Sequence, residues 1–240
     1  MKPRHGGDGA ATESFAPTER TTLRRHAERG NYERETVENI LDEALICHLG
    51  FVSDGQPYVI PTIHARCGDR LYLHGSAASR MLGTIRQGIP ICVTATLLDG
   101  LVLARSAFRH SMNYRSVVVL GTATEVTSPS EKKAALEAIV EHVAPGRLAE
   151  IRPPNEAELS ATMVLFVPLL EVSAKIRSGP PLDVETDYSW PCWAGEIPLR
   201  LTAFAPVRDP RLVPSITLPQ YLHEYQRGGG ARRKAEGNVT

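Results

Sequence analysis

The residues best suited to bind a ligand lie close together in the stretch Leu71–Arg80, LYLHGSAASR. Its first three residues are apolar and predict a strand, which breaks at His-Gly-Ser, and Ser76 or Ser79 can cap a helix over 81–87. Backbone N–H groups, two hydroxyls and the Arg80 guanidinium would then converge at one turn. This pattern predicts a phosphate site, whereas the simpler interpretation is an ordinary strand–turn–helix junction with a surface arginine.

Other polar side chains do not have the spacing of a known catalytic or metal site. His64 and His74 are candidate general bases, but the histidines lack a metal-binding spacing such as HExxH. The serines lack a GxSxG setting, so a nucleophilic serine is disfavoured. The four cysteines contain no CxxC, which argues against zinc and against a disulfide framework. We therefore predict no catalytic side chain and no metal ion.

Short strands separated by turn signals must position the turn. Alternation and β-branched runs predict strands over 44–53, 56–65, 71–73, 91–98, 101–106, 114–127 and 163–177. Helical spacing predicts helices over 35–45, 81–87 and 132–143. Asp54-Gly55 and Asp99-Gly100 predict hairpin turns, and Gly121 predicts a bulge or a bend. Pro57 and Pro61 predict a strand edge or a bulge, because proline cannot donate a ladder hydrogen bond.

Hairpins imply antiparallel pairing, so the predicted fold class is mainly β with helices (α+β), arranged as an antiparallel β-barrel. The sequence shows no βαβ alternation and no GxGxxG, which disfavours a dinucleotide-binding parallel sheet. Its 27 basic and 27 acidic side chains cancel, which gives no reason to expect nucleic acid or an anionic membrane as a partner. With no run of 18 apolar residues and no signal-like start, the expected location is the cytoplasm.

The two ends of the chain differ in composition from the middle. We predict a disordered N-terminal arm over 1–19, a ligand-binding domain over 20–200 and a C-terminal extension over 201–240, disordered after about residue 227. Residues 178–199 hold both tryptophans and several prolines, which is typical of a loop that covers a site or a partner surface.

Taken together, the segments resemble the pyridoxamine 5′-phosphate oxidase-like flavoproteins, and more closely their nitroimidazole-resistance branch. The resemblance rests on PYVIPTIHA, LYLHGSAASRML, NYRSVVVLGTA and the ending KIRSGPPLD with WAGEIPL, in that order over roughly residues 30–200. It implies a split β-barrel that forms a homodimer and binds FMN in clefts between subunits.

The resemblance also implies which residues contact FMN. Pro61, Thr62 and Ile63 would run along the isoalloxazine edge, and His74, Gly75 and Ser76 would line the ribityl and phosphate region. Ser79 and Arg80 would hold the phosphate. Arg115 and Ser116, from the other subunit or the neighbouring strand, and Trp193, from the C-terminal tail, would make further contacts. Met81 stands where the oxidases often have a lysine, so part of the phosphate charge would fall to Arg115.

The function that the resemblance implies is hydride transfer through flavin N5 to a small molecule, with NAD(P)H as the electron donor. FMN would carry this chemistry itself, which fits the absence of a recognisable catalytic side chain. One alternative is a flavin-binding or sensing module without turnover. Another keeps the barrel but replaces FMN with haem or a deazaflavin, and either His64 or His74 leaves haem open.

Overall fold

An antiparallel sheet dominates residues 13–226, which are the residues that the computed structural model describes. Its strands follow the order β1-β9-β6-β5-β2-β3-β4-β8-β7, and β10 pairs with β5. The strands are β1 Gly30–Asn31, β2 Ile46–Ser53, β3 Gln56–Cys67, β4 Arg70–Ser76, β5 Pro90–Leu103, β6 Ser111–Thr122, β7 Thr124–Glu125, β8 Thr162–Pro168, β9 Glu171–Arg177 and β10 Gly195–Pro198. The helices are α1 Arg34–Glu43, α2 Arg80–Ile85, α3 Pro129–Val143, α4 Glu156–Ala161 and α5 Gln220–His223. The predicted mainly-β, antiparallel α+β class is confirmed.

The core lies between the inner faces of the strands and α1. Period-two alternation turns one side of each strand inward, as β2 shows by burying Cys47, Leu49 and Phe51. Val37, Ile40 and Leu41 cover this core from α1. A second, smaller cluster joins α3 to the outer side of β4 and β8, and it consists of Tyr72, Val126, Ala135 and Val164. Helix α3 therefore sits on the face opposite the main core.

Strand β3 is shared between two parts of the sheet. Residues 56–63 pair with β2, and residues 64–67 pair with β4, so β3 changes partner between Ile63 and His64. Within the described residues, the first part has no neighbour on its other side. Pro57 and Pro61 lie on this open edge, which confirms the edge expected from the prolines.

Four predictions of local structure are wrong. The strand that starts near Leu71 does not break at His74-Gly75-Ser76, because β4 runs through Ser76 and pairs with β8 there. Asp99-Gly100 is not a hairpin turn but a bulge inside the continuous strand β5. Gly121 pairs in register with Ile91 and is not a bulge. The predicted strand over 163–177 is two strands, β8 and β9, which pair with different neighbours and are separated at Leu169 and Leu170.

The two ends of the chain are only partly described, since residues 1–12 and 227–240 lie outside the described range. Phe15 is 6% exposed and packs in the core, so the predicted disordered arm over 1–19 is wrong at this residue. Residues 199–219 contain no helix or strand and return to the domain through α5. There Tyr221 packs over Gly146 and the Tyr225 hydroxyl donates to the carbonyl of Val143. The domain boundaries at 20 and 200 stay predictions.

Candidate functional site

Strands β3 and β4 separate next to the residues that are predicted to contact the ligand. Their pairing ends at His64 opposite Leu73. Beyond that pair, β3 continues beside β2 and β4 continues beside β8. We call the point where β3 and β4 separate, at His64 and Leu73, the fork. The first residues beyond it are Pro61–Ile63 on β3 and His74–Ser76 on β4. The structure therefore places these two predicted groups on the two sides of one opening.

The turn after β4 keeps most of its own amides occupied. Ala77 N–H donates to the carbonyl of Ala161, Ala78 N–H to Ser76 Oγ at 3.2 Å, and Ser79 N–H to the carbonyl of Ser76. Ser79 caps α2, as predicted, because its Oγ accepts from Leu82 N–H at 3.3 Å. Both hydroxyl oxygens therefore act as acceptors within the chain, which leaves each O–H free to donate outward.

Arg80 supplies the positive charge of this turn. It is the first residue of α2, it is exposed, and within residues 13–226 its guanidinium makes no hydrogen bond or ion pair. The available donors are thus the Ser76 and Ser79 hydroxyls and the Arg80 guanidinium. Two hydroxyls and one guanidinium suit a phosphate group.

Arg115 does not fit the role that the sequence suggested. Its guanidinium makes two hydrogen bonds of 2.6 and 2.9 Å to Glu43 and two of 2.9 and 2.8 Å to Asp99. These two carboxylates raise the pKa of Arg115 and occupy both bidentate hydrogen-bonding edges of its guanidinium. The β5 bulge lies at Asp99 and accompanies this contact. Ser116 is the next residue of β6 and projects to the opposite face, so the two side chains cannot meet one anion within a chain.

Trp193 lies far from the fork of its own chain. It precedes β10, where Gly195 pairs with Leu103, whereas Pro61 lies opposite His48 and His48 opposite Thr94. Nine residues of β5 separate Thr94 from Leu103, which is about 30 Å of strand. The indole is 67% exposed and packs on Gly195. A role for Trp193 at the flavin therefore requires a second copy of the chain.

A cavity of about 530 Å³ opens beside His74, between α3 and the loop that precedes α4. Its size is in the range of small-molecule and cofactor sites. Most of its lining is apolar, and the polar exceptions are His74, Glu137, Arg152 and Glu158. The apolar lining consists of Leu136, Ile139, Val140, Leu148, Ile151, Pro153 and Pro154. The sequence reasoning missed this site, although the Asn155–Glu158 spacing signals the capped helix that closes one side.

The His74 ring is poised to be a ligand. Its Nδ1 is buried without a hydrogen-bond partner, which normally costs about 1–3 kcal/mol. Burial lowers the pKa of His74, so the imidazole is neutral at neutral pH. A neutral imidazole with an unused ring nitrogen is the form that binds a metal centre.

His64, the other candidate histidine, is committed to the fold. Its side chain is fully buried, and Nε2 lies 2.9 Å from the carbonyl oxygen of Leu41 near the end of α1. Its ring centroid is 4.9 Å from that of His142, which contacts the carbonyl of Ala44 in the same way. We therefore remove His64 from the candidate site residues.

Two classes of site are not found within residues 13–226. No group of three or more His, Cys, Asp and Glu side chains is arranged to hold a metal ion. No helix in this range has the length and apolar character needed to cross a membrane. Cys47 is buried, which raises the pKa of its thiol to about 12, and all four cysteines are free thiols.

The chain is similar to several solved structures. The flavocytochrome Anf3 from Azotobacter vinelandii is 40% identical over 89% of this chain and 100% of that one, with a TM-score of 0.84. The FAD and heme binding protein from Mycobacterium smegmatis is 33% identical over 83% of this chain and 98% of that one, with a TM-score of 0.79. A candidate 5-nitroimidazole antibiotic resistance protein from Bacteroides thetaiotaomicron is 23% identical over 61% of this chain and 86% of that one, with a TM-score of 0.52, which shows the fold alone.

No curated protein sequence matches the chain. A family model described as pyridoxamine 5′-phosphate oxidase matches residues 33–176. This range starts just before α1, ends within β9, and includes both sides of the fork and the turn at Ser79. The predicted split-barrel, flavin-binding resemblance is thereby confirmed, and the chain belongs to the pyridoxamine 5′-phosphate oxidase family.

Proposed function

We propose that this protein is a flavin-dependent oxidoreductase that also binds haem. The observation that carries the flavin part is the fork. There the open edge of β3 and the donors of the β4–α2 turn flank one opening. The bare edge at Pro61–Ile63 offers backbone groups to a flavin ring, while Ser76, Ser79 and Arg80 take the phosphate. A flavin at this place supplies hydride chemistry, and the chain supplies position and charge.

The family resemblance implies FMN, and two related proteins bear on this choice. The Mycobacterium smegmatis relative is described as binding FAD, and Anf3 is described as a flavocytochrome. FMN needs only the donors already named, so we keep FMN as the proposed flavin and FAD as its alternative. Acid release of the cofactor from purified protein, followed by chromatography, separates FMN, FAD and a deazaflavin. A protein purified without a visible flavin spectrum, and unable to take up added flavin, would contradict the flavin site.

Arg80 provides the sharpest test of the flavin site. We expect Arg80→Ala to weaken flavin binding by about 1.5–3 kcal/mol, the value of a hydrogen bond to a charged group. Arg86→Ala is the control, since Arg86 follows the same helix but pairs with Glu125. Fluorescence titration of the apoprotein measures both. An unchanged dissociation constant for Arg80→Ala would remove this residue from the site.

His74 and its cavity carry the haem part of the proposal. The apolar walls would hold the haem ring, and His74, with its neutral imidazole and unpartnered Nδ1, would supply a ligand to the haem iron. A haem bound there would supply one-electron transfer beside the two-electron chemistry of the flavin. Two relatives at 40% and 33% identity are described as a flavocytochrome and as a FAD and heme binding protein, which supports the proposal that this chain binds haem.

The haem site is tested by substitution of its ligand. We expect wild-type protein titrated with haemin to develop a sharp Soret band. We expect the His74→Ala protein to lose this sharp band and most of its affinity for haemin. His48→Ala is the matched control, because His48 is exposed on β2 and does not line the cavity. An identical Soret band in the His74→Ala protein would exclude His74 as the ligand.

Turnover remains to be tested separately from binding. We propose that NAD(P)H reduces the flavin and that a small molecule at the open ring face accepts the hydride. Bleaching of the bound flavin by NADH or NADPH, followed by recovery with an added acceptor, supports an enzyme. Flavin that is not reduced by either nucleotide would favour the non-enzymatic module. The cytoplasmic location stays a prediction.

A further inference from the structure

The cavity beside His74 is lined mostly by apolar side chains, and one arginine lies at its solvent-exposed rim. Among the residues that line it, Arg152 is the one permanent cation. Its Nη1 donates to Glu158 Oε2 at 2.8 Å, and Nη2 contacts the other carboxylate oxygen. The remaining acid of the rim, Glu137, pairs with Lys133 at 3.8 Å. The charge at this rim is therefore set by the Arg152–Glu158 pair.

The two members of this pair are held very differently. Glu158 is fixed by α4, because Oε2 also accepts from Asn155 N–H at 2.9 Å and completes a capping box. Arg152 precedes the helix, and its side chain is 68% exposed. Its other hydrogen bond is to the carbonyl of Pro153. An exposed pair of this kind contributes about 0–1 kcal/mol, so Arg152 can leave Glu158 at little cost.

We infer that Arg152 binds the acid group of the ligand that fills the cavity. When the ligand binds, Arg152 would leave Glu158 and pair with the carboxylate of the ligand instead. The inference rests on the proposed haem site, since haem joins a large apolar ring to two carboxylates. His74 would hold the apolar, metal-bearing part, and Arg152 would hold the acid edge at the rim. The guanidinium is suited to this because it binds carboxylates in a bidentate way. Glu158 keeps Arg152 at the rim while the cavity is empty.

Two neutral substitutions in the same ion pair should act in opposite directions. Arg152→Gln removes the cation, and we expect haemin to bind about tenfold more weakly. Glu158→Gln removes the competing anion, and glutamine also serves in a capping box, so α4 stays capped. We expect haemin binding to Glu158→Gln to tighten by up to about fivefold. A purely structural role of the pair would move both variants the same way.

The probe itself provides a second comparison. Haemin dimethyl ester keeps the ring and the iron but lacks the carboxylates. We expect wild-type protein to prefer haemin over the ester, Arg152→Gln to lose this preference, and Arg147→Gln to keep it. Arg147 is a suitable control because it lies on the same loop, pairs with Glu150, and does not line the cavity.

The outcomes separate the two proposals. If wild-type protein binds haemin through His74 but its preference over the ester survives in Arg152→Gln, the role of Arg152 is wrong and the haem site stands. If both substitutions weaken haemin equally, the exchange is wrong. If wild-type protein binds neither compound, the haem site itself is overturned together with this inference.

Discussion

Arg80 and Arg115 show how differently two arginines with similar sequence surroundings can be used. Arg80 follows a serine at a turn, and Arg115 precedes a serine in a strand. In the structure, Arg80 faces solvent with no partner among residues 13–226, whereas Arg115 lies between Glu43 and Asp99. Neither Glu43 nor Asp99 is among the residues that the sequence analysis assigned to the ligand site. No pattern around Arg115 announces them, so its role could not be read from the sequence.

The ion triad gives a prediction that separates stability from binding. Removing Arg115 leaves two partly buried carboxylates facing each other, so we expect Arg115→Ala to lower the free energy of unfolding by about 3 kcal/mol. Flavin affinity of the folded protein should not change. Urea unfolding and flavin titration measure the two effects. Arg86→Ala is the control, because an exposed pair is worth about 0–1 kcal/mol.

The opposite pattern would restore the original assignment. If Arg115→Ala weakened flavin binding and left the unfolding midpoint in place, the guanidinium would belong to the phosphate site.

His64 and His74 also have similar sequence surroundings but different roles in the structure. Both follow apolar strand residues, and only the tertiary contacts distinguish the histidine that contacts the Leu41 carbonyl from the one that lines a cavity.

At the scale of elements, most strands and helices follow from local pattern. The cap of α2 at Ser79 and the turn at Asp54-Gly55 lie where their residues predict them, and α3 covers the helix predicted over 132–143. Asp99-Gly100 has the same residue pair as Asp54-Gly55 but continues a strand. Its geometry depends on β10, since a side chain at Gly100 would lie 3.0 Å from the carbonyl oxygen of Ile197. Local propensity cannot report a strand that arrives from almost 100 residues later.

The chain between β9 and β10 is held to the sheet by two polar anchors. Arg177 donates to the carbonyls of Gly179 and Pro180 just after β9. The side chain of Asp183 is fully buried and accepts from the backbone N–H of Arg105 and from its guanidinium at 3.1 Å. These contacts fix the start of the loop that carries both tryptophans.

Asp183 therefore provides a prediction for this loop. We expect Asp183→Asn to lower the free energy of unfolding by about 1.5–3 kcal/mol, because hydrogen bonds to a buried charged group are lost. Protease cleavage within 184–194 should become faster. Asp187→Asn, in the same loop on an exposed short helix, is the control and should behave like wild type. Unchanged cleavage of Asp183→Asn would mean that the loop is anchored elsewhere.

At the scale of the whole molecule, one face of the β2–β3 pair remains apolar and exposed. Ile46, Val52, Val59 and Ile63 are 49%, 54%, 68% and 36% exposed. They lie on strands that border the fork. Exposed apolar surface of this kind on a sheet marks an interface. We propose that a second copy of the chain covers it, as the family resemblance suggested, and that this copy brings its Trp193 to the fork.

The dimer is tested by placing a charge on this face. We expect Val59→Glu to shift the protein from dimer to monomer in sedimentation equilibrium and to weaken flavin binding in parallel. Leu170→Glu is the control, since Leu170 is 71% exposed at the turn between β8 and β9, away from β3. A wild-type protein that sediments as a monomer, or a Val59→Glu protein that remains dimeric, would contradict the proposed interface.

The sequence predicts the fold class well because hairpin turns and alternating strands are local signals. The sequence predicts the fork only in part, because Pro57 and Pro61 indicate a strand edge but not the residue at which β4 separates from β3. The cavity beside His74 is assembled from α3 and the loop before α4, which lie 55 to 81 residues after that histidine. Such sites depend on how elements pack, and a single chain pattern contains no measure of that packing.

The division of β3 between two neighbours has a consequence for how this fold can evolve. Side chains on a strand alternate, so inserting one residue between Pro57 and Pro61 would invert either the half beside β2 or the half beside β4. One inversion would bury Pro57 or Val59, and the other would expel Ala65 from the interior. Length changes should therefore be tolerated in the hairpin at Asp54-Gly55 and eliminated by selection along the rest of this strand.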